Sequence, residues 1–246
     1  MQPPWKGAAA GTVVGVLLAA GHGARFDASA RRHKLLEPFP PGSAGASPLV
    51  VAAARRLLAA VPVLAVARPV PHGAHAAADP ERTAQLRRIQ DVLADAGCRV
   101  VSYTNTDEGR SNEDPSGTAA VEGTGASIAC AVRASPAAGG WIIALGDMPG
   151  IDPATILAVR EALRGGAHTA APTFRGRRGH PVAFGAECGP ELARLQGDEG
   201  ARSILQRHPP LLIEVDDPGI LFDVDRPQDL AAARGAAAGG HGPRDS

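Results

Sequence analysis

Residues 13–36 constrain the fold of this chain more than any other part of its sequence. They begin with a continuous apolar run, residues 13–20, which is closed by Gly21 and is typical of a buried strand in a parallel sheet. A glycine-punctuated turn that carries Arg25 follows, and Lys34 lies further on. Ligands of open α/β sheets bind at the carboxyl ends of the strands, so small residues and two cations here favour an anion such as a nucleoside triphosphate.

Two familiar nucleotide-binding motifs are excluded from this turn. The dinucleotide fingerprint needs a third glycine where the chain has Phe26, and an acidic residue about 20 positions later, where residues 40–46 read PPGSAGA. The P-loop needs Gly-Lys-Ser/Thr, which the turn lacks. The alternative interpretation is an ordinary strand-to-helix turn whose glycines serve the backbone and whose arginines are solvated.

The composition of the chain limits its partners. Lysine plus arginine equals aspartate plus glutamate at 25 each, so no net charge attracts nucleic acid or an anionic membrane, and aromatic residues for base stacking are only 3%. Three widely spaced cysteines indicate neither a zinc site nor a disulfide framework. No signal-peptide core or run of ~18 apolar residues is present, so we expect a cytoplasmic protein without nucleic-acid or membrane partners.

The order of the apolar segments predicts one α/β domain. Strands are predicted at residues 61–67, 98–103 and 141–145, with amphipathic helices between them. This order predicts a Rossmann-like, mostly parallel central sheet flanked by helices. We expect the domain to span residues 12–232, with flexible tails at 1–11 and 233–246 and a polar, flexible insertion at 106–122.

A second informative stretch follows the strand predicted at residues 141–145. That strand delivers Gly146 and Asp147 to the same sheet edge as the first turn. An aspartate there is well placed to hold Mg²⁺, which prefers carboxylate oxygen, and Gly146 would let a phosphate or sugar approach. Asp147 as a simple cap is the alternative, but Asp152-Pro153 already supplies a cap and an early proline to the next helix.

A pair of aspartates near the end of the chain is a further candidate. Asp223 and Asp225 are two positions apart, so on an extended segment both point to one side. Two carboxylates on one side repel each other unless they share a cation, which a metal ion would provide. For Asp229, which follows this pair, helix capping is the favoured interpretation.

These motifs resemble the signature of the nucleotidyltransferases of the molybdenum-cofactor group, whose members attach CMP or GMP to molybdopterin. The matching motifs are L-A-A-G-x-G-x-R-F at residues 18–26, K-L-L at 34–36, G-D-M-P at 146–149, G-H-P at 179–181 and D-x-D-x-P-x-D-L at 223–230. The resemblance covers nearly the whole body of the chain. It implies a Mg²⁺-dependent transfer of a nucleotidyl group from an NTP to a phosphorylated acceptor, with release of pyrophosphate.

The resemblance also implies roles for individual residues. Those implied to bind the nucleotide or the second substrate are Ala19, Ala20, Gly21, Gly23, Gly125, Ser127, Gly146, Gly179, His180 and Pro181. Those implied to be catalytic are Arg25, Lys34 and Asp147, and those implied to hold the metal are Asp147, Asp223 and Asp225. An ordinary helix start at Ser127, a structural His180 and solvated arginines at residues 175–178 are the alternatives.

The nucleotide and the acceptor are implied less directly. Cytidylyltransferases of the group commonly carry A-A-G where guanylyltransferases carry A-G-G, and this chain has Ala19-Ala20-Gly21, which implies CTP rather than GTP. Eight residues separate Arg25 from Lys34, more than is usual in the group, so Arg31 or Arg32 is an alternative to Lys34. The other hypotheses are a guanylyltransferase, a different phosphate acceptor, a nicotinamide-binding oxidoreductase, and a carrier that hands finished cofactor to a molybdoenzyme.

Overall fold

The computed structural model describes residues 9–21, 26–27, 31–103 and 123–230. Gly23, Arg25, most of the expected tails and the expected insertion lie outside these residues. The strands are β1 Val13–Ala19, β2 Pro38–Phe39, β3 Ser47–Pro48, β4 Val63–Ala67, β5 Arg99–Ser102, β6 Gly140–Leu145, β7 Thr169–Phe174, β8 Arg177–Arg178, β9 Val182–Gly185 and β10 Leu211–Glu214. The helices are α1 Leu49–Leu58, α2 Gly73–Ala78, α3 Pro80–Asp95, α4 Thr124–Ala134, α5 Pro153–Arg164, α6 Gly189–Leu192 and α7 Arg202–Arg207.

The central sheet is mostly parallel, as the sequence predicts. Its strand order is β10-β7-β9-β6-β1-β4-β5, and β8 pairs with β7. β1 lies between β4 and β6 and is parallel to both, while β9 is antiparallel to its neighbours β6 and β7. The prediction of one α/β domain with a mostly parallel sheet is therefore confirmed, with two reversed strands, β9 and the two-residue β8.

Helices cover both faces of the sheet because its central strands are apolar on both sides. In β1, Val13 and Leu17 join the core cluster under α1, α3 and α5. Val14 and Val16 join the cluster under α4, α6 and α7. A strand buried on both faces reads as a continuous apolar run, which is why residues 13–20 are recognisable in the sequence.

A third, smaller cluster lies beside the carboxyl edge of the sheet. Its buried members are Phe26, Phe39, Leu49, Val224 and Leu230. They come from the first turn, β2, the start of α1 and the segment that carries Asp223 and Asp225. This cluster packs distant parts of the chain together where the predicted site residues lie.

Several short elements differ from the sequence-based expectation. The sequence pattern also predicts helices at residues 188–195 and 200–208. The first is instead a 3₁₀ turn, Ala186–Cys188, followed by the four residues of α6, and the second is confined to α7. Gly197 and Gly200 have positive φ angles of 49° and 57°, which interrupt a right-handed helix. No helix among the described residues is both long and apolar enough to cross a membrane.

Candidate active site

The position of Asp147 is fixed by backbone contact between β6 and β1. The Gly146 amide donates to the Leu18 carbonyl at 2.9 Å. A Cβ on Gly146 would lie only 3.0 Å from that oxygen and 3.6 Å from the Cα of Ala19, so packing between the two strands favours glycine here. Asp147, the residue after Gly146, therefore lies beside the end of β1. Ala20, the first residue after β1, is half-buried.

Gly21, the next residue of the first turn, is exposed. A Cβ on Gly21 would meet no atom within 4 Å. The space beside this part of the turn is therefore open.

The segment with Asp223 and Asp225 lies against Asp147. The Val224 amide donates to the Asp147 carbonyl at 3.0 Å, and the Val224 side chain is fully buried in the third cluster. Because neighbouring side chains of an extended segment point to opposite sides, Asp223 and Asp225 face away from that cluster. One carboxylate oxygen from each of Asp147, Asp223 and Asp225 lies within 4.8 Å of the others.

Lys34 occupies the space between two of these carboxylates. Its Nζ donates to Asp147 Oδ2 at 2.6 Å and to Asp225 Oδ1 at 3.1 Å, and the residue is only 8% exposed. Burial lowers the pKa of Lys34, but the charges and hydrogen bonds of Asp147 and Asp225 outweigh it and raise the pKa above its ordinary value. Lys34 is therefore a buried, charged ammonium at the site.

The two arginines considered as alternatives to Lys34 make other contacts. The Arg32 guanidinium pairs with the Glu37 carboxylate and lies over the Phe26 ring, 5.5 Å from its centre. Arg31 is exposed, and its carbonyl accepts from Gln85 Nε2 at 2.8 Å. Of these three cations, Lys34 is the one that reaches the carboxylates.

His180 and its neighbours form another wall of the site. The His180 amide donates to the Ile220 carbonyl at 2.9 Å, and a Cβ on Gly179 would lie 2.3 Å from the same oxygen. Burial lowers the pKa of His180, although the charge of Asp147 and a hydrogen bond with the Ile143 backbone raise it. Pro181 is buried and leads directly into β9.

Two buried side-chain atoms in the described residues have no hydrogen-bond partner, and both belong to this region. They are Oδ1 of Asp147 and Nδ1 of His180. A buried polar atom without a partner is costly, so its presence at a site points to a ligand that completes it. The Asp147 oxygen is a free acceptor beside two further carboxylates, which is a donor set that suits a hard divalent cation.

The glycine turn before α4 makes its contacts elsewhere. The Gly125 amide donates to the Gly197 carbonyl at 2.7 Å, and Thr124 donates to Asp198 Oδ1 at 3.3 Å. A Cβ on Gly125 would lie 2.7 Å from the Gln196 carbonyl oxygen, so packing also requires this glycine. Nucleotide binding by this turn therefore stays a prediction.

Ser127 lies in the first turn of α4, two positions after Gly125. It is buried, and its hydroxyl donates to the Gly123 carbonyl at 2.9 Å. This hydrogen bond gives the Ser127 hydroxyl an acceptor at the start of its own helix. A role for Ser127 in nucleotide binding likewise stays a prediction.

Asp217 supports the site and was not singled out from the sequence. It is buried and accepts from the Asp152 amide at 2.8 Å, Thr155 Oγ1 at 2.8 Å and the Gly219 amide at 2.9 Å. It thereby joins the loop after Asp147 to the turn that precedes Asp223. The Asp217-Pro218 dipeptide repeats the Asp-Pro pattern of the α5 cap and could have identified it.

Asp229 supports the backbone of Asp225. Its Oδ2 accepts from the Asp225 amide at 3.0 Å and from the Arg226 amide at 2.7 Å. The capping role considered for Asp229 from the sequence is the one these contacts describe. The Asp229 carboxylate therefore holds the backbone of residues 225–226 in position.

Solved structures of other proteins share this fold. Rv0371c from Mycobacterium tuberculosis H37Rv, solved in complex with manganese, is 24% identical over 90% of this chain and 97% of its own, with a TM-score of 0.61. A nucleotidyl transferase from Methanothermobacter (Mth528) is 21% identical, with 92% and 98% coverage and a TM-score of 0.64. Molybdopterin-guanine dinucleotide biosynthesis protein A from Archaeoglobus fulgidus is 15% identical, with 92% and 98% coverage and a TM-score of 0.60.

Sequence comparison identifies the family. No curated protein sequence matches the chain significantly. The model of the MobA-like NTP transferase domain matches residues 15–211, which include the first turn, Lys34, Asp147 and His180. The chain therefore belongs to the family of MobA-like NTP transferase domains and is a nucleotidyltransferase.

Proposed function

We propose that this nucleotidyltransferase transfers CMP from CTP to molybdopterin cofactor and releases pyrophosphate, with Mg²⁺ as the metal. The observation that carries the proposal is the convergence of Lys34, Asp147 and Asp225 beside the end of β1. Family membership and the fold shared with the Archaeoglobus protein of molybdopterin-guanine dinucleotide biosynthesis support the substrate class.

The reaction requires positioning and charge neutralisation. An oxygen of the acceptor phosphate attacks the α-phosphorus of the nucleotide while the bond to pyrophosphate breaks. Asp147, Asp223 and Asp225 would hold the divalent cation, which would supply positive charge beside the phosphates. Lys34 and Arg25 neutralise the charge that develops on the departing pyrophosphate.

CTP is proposed because of the residue at position 20. Ala20 directly follows β1 at the carboxyl edge. We infer that its methyl group narrows the space that a larger purine would need. The acceptor is proposed to bind on the side of His180, whose loop lies next to the β7–β8 hairpin with exposed Arg177 and Arg178. These cations suit a phosphate dianion.

A pyrophosphate-release assay tests the proposal. The protein is incubated with each of the four NTPs, Mg²⁺ and molybdopterin, and separately with other phosphorylated acceptors. We expect release with CTP and molybdopterin, and none when either is omitted. Release with GTP or with another acceptor would establish a different transferase.

The same samples address the hypotheses from other functional classes. Binding of NADH without any dependence on Mg²⁺ would establish the oxidoreductase. Binding of finished cofactor without pyrophosphate release would establish the carrier.

A further inference from the structure

We propose that Lys34 is the counter-ion of Asp147 and Asp225 before the metal binds, and that the entering cation displaces its ammonium onto the triphosphate. Lys34 thereby couples metal binding to nucleotide binding. This inference rests on the proposed function, because it takes an NTP and a divalent cation as the ligands of this site.

The first argument is the space between the carboxylates. The Lys34 Nζ lies 2.6 Å from Asp147 Oδ2 and 3.1 Å from Asp225 Oδ1. Mg²⁺ lies about 2.1 Å from its oxygen ligands, so a cation bound to these same two oxygens would lie almost where the ammonium is. Two cations competing for the same two oxygens repel each other strongly, so binding of the metal there would displace the ammonium.

The second argument is the cost of an unpaired ammonium. The side chains of Lys34, Asp147 and Asp225 are only 10%, 19% and 27% exposed, so solvent compensates little for a lost partner. A displaced ammonium therefore needs another anion. A triphosphate beside Gly21, where the space next to the backbone is open, is that anion.

The third argument is the choice of residue. The chain has 25 basic residues, and all except Lys6 and Lys34 are arginine. An arginine would bind a carboxylate through a rigid, planar fork, whereas lysine carries a compact charge on a flexible stem. A residue that exchanges partners within a small space needs the compact charge and the flexible stem of lysine.

The thermodynamic consequence is positive cooperativity. If the metal releases Lys34 and the nucleotide receives it, each ligand reduces the cost of binding the other. The same coupling factor applies in both directions. Nucleotide should therefore tighten metal binding more in the native protein than in a variant without the ammonium.

Lysine reactivity tests the exchange directly, without turnover. The full chain is treated with an amine-acetylating reagent, and acetylation of Lys34 and Lys6 is followed by mass spectrometry, with Lys6 as the internal reference. We expect Lys34 to react slowly in apo protein, about tenfold faster with saturating Mg²⁺, and slowly again with Mg²⁺ plus α,β-methylene CTP or GTP. Unchanged Lys34 reactivity when calorimetry shows Mg²⁺ bound, or no Mg²⁺ binding at all, overturns the proposal.

Metal affinity provides a second, independent readout. Mn²⁺ binding is titrated by electron paramagnetic resonance for the native protein, Lys34→Met and the control Lys6→Met, each checked for folding by thermal melting. We expect Lys34→Met to bind Mn²⁺ about tenfold more tightly without nucleotide and to gain less affinity when the CTP analogue is added. Equal Mn²⁺ affinity in the native protein and Lys34→Met contradicts the exchange.

Failure of the proposed function has a different signature. It appears as absence of pyrophosphate release from the native protein with every NTP and acceptor. The response of Lys34 to Mg²⁺ is read without any turnover, so the two failures are distinguishable.

Discussion

The amide of Val224 donates to the carbonyl of Asp147 at 3.0 Å, which joins two loops of the candidate site through their backbones. The side chains of Asp147 and Asp225 are thus held by a frame that does not depend on their own carboxylates. A substitution that removes a carboxylate should therefore change the chemistry of the site while the frame persists.

Asp147→Asn and Asp225→Asn test the carboxylates proposed to bind the metal. Each variant keeps the side-chain shape but loses a charged oxygen for the cation, so we expect pyrophosphate release to fall by about 10²–10³-fold. Asp95→Asn, at the exposed end of α3, is the control and should match the native rate. Activity of Asp147→Asn within about twofold of native would show that this carboxylate does not serve the reaction.

Asp217→Ala should destabilise the protein. The substitution leaves two amides and the Thr155 hydroxyl without their buried acceptor, so we expect the free energy of unfolding to fall by about 2–4 kcal/mol. Urea denaturation measures the change. The control is Asp216→Ala at the exposed neighbouring residue, which should change the free energy of unfolding by less than about 0.5 kcal/mol. Equal effects of the two substitutions would contradict the role given to Asp217.

Gly179→Ala should disturb the wall formed by His180. The added Cβ would lie 2.3 Å from the Ile220 carbonyl oxygen, so one of the two backbones has to move. We expect a stability loss of about 1–3 kcal/mol in urea denaturation, together with slower pyrophosphate release. In Gly45→Ala the new Cβ meets no atom within 4 Å, and a similar loss there would remove the steric explanation.

His33 should make stability depend on pH. Burial, with the charge of Lys34 next, lowers the pKa of His33 from 6.5 to about 4, and the neutral ring accepts from the Leu35 amide at 3.3 Å. Below pH 6.5, His33 becomes protonated in the unfolded chain but stays neutral in the folded protein. The free energy of unfolding therefore falls as the pH drops toward 4. From about pH 7 to about pH 5 this contribution is about 2 kcal/mol.

The variant His33→Asn isolates this contribution to the pH dependence. Asparagine cannot titrate but still offers an acceptor to the Leu35 amide. Urea denaturation at both pH values should show a smaller decline for His33→Asn than for native protein. The exposed His75→Asn should decline like the native protein, and an unchanged decline in His33→Asn would assign the pH dependence to other groups.

Ala20→Gly tests the choice of nucleotide. Removal of the methyl group widens the space beside the end of β1, so we expect the preference for CTP over GTP in the pyrophosphate-release assay to decrease. A change of about 1 kcal/mol, roughly fivefold in the ratio of kcat/KM values, is expected for one methyl group in a pocket. An unaltered preference would mean that Ala20 does not select the base.

Continuous apolar runs made the central strands predictable from the sequence. β1 and β6 are buried on both faces, so their patterns are unambiguous, and the parallel βαβ order follows from the helices between them. The position of β9 between β6 and β7 could not be predicted in this way. Its four residues, Val182–Gly185, contain no information on which strands they pair with.

Part of the candidate site was also predictable, from the spacing of acidic residues along the sequence. Acidic residues directly after a strand, or alternating along an extended segment, have positions that spacing determines, and Asp147, Asp223 and Asp225 do lie together. The contact of Lys34 with two of them spans 113 and 191 positions and depends on tertiary packing. Gly146 was interpreted as a residue that admits a ligand, whereas its close contact with Leu18 indicates that packing also favours glycine.

The reversed direction of β9 has a consequence for how such a site can diversify. In a purely parallel sheet, the residues at the carboxyl edge all follow a strand, but here His180 precedes one, because β9 runs from that edge toward the opposite one. The β7–β8 hairpin and the loop before β9 form one continuous region on this side of the molecule. Insertions or exchanges in that region would remodel the proposed acceptor side and leave unchanged the strand ends at the proposed nucleotide site.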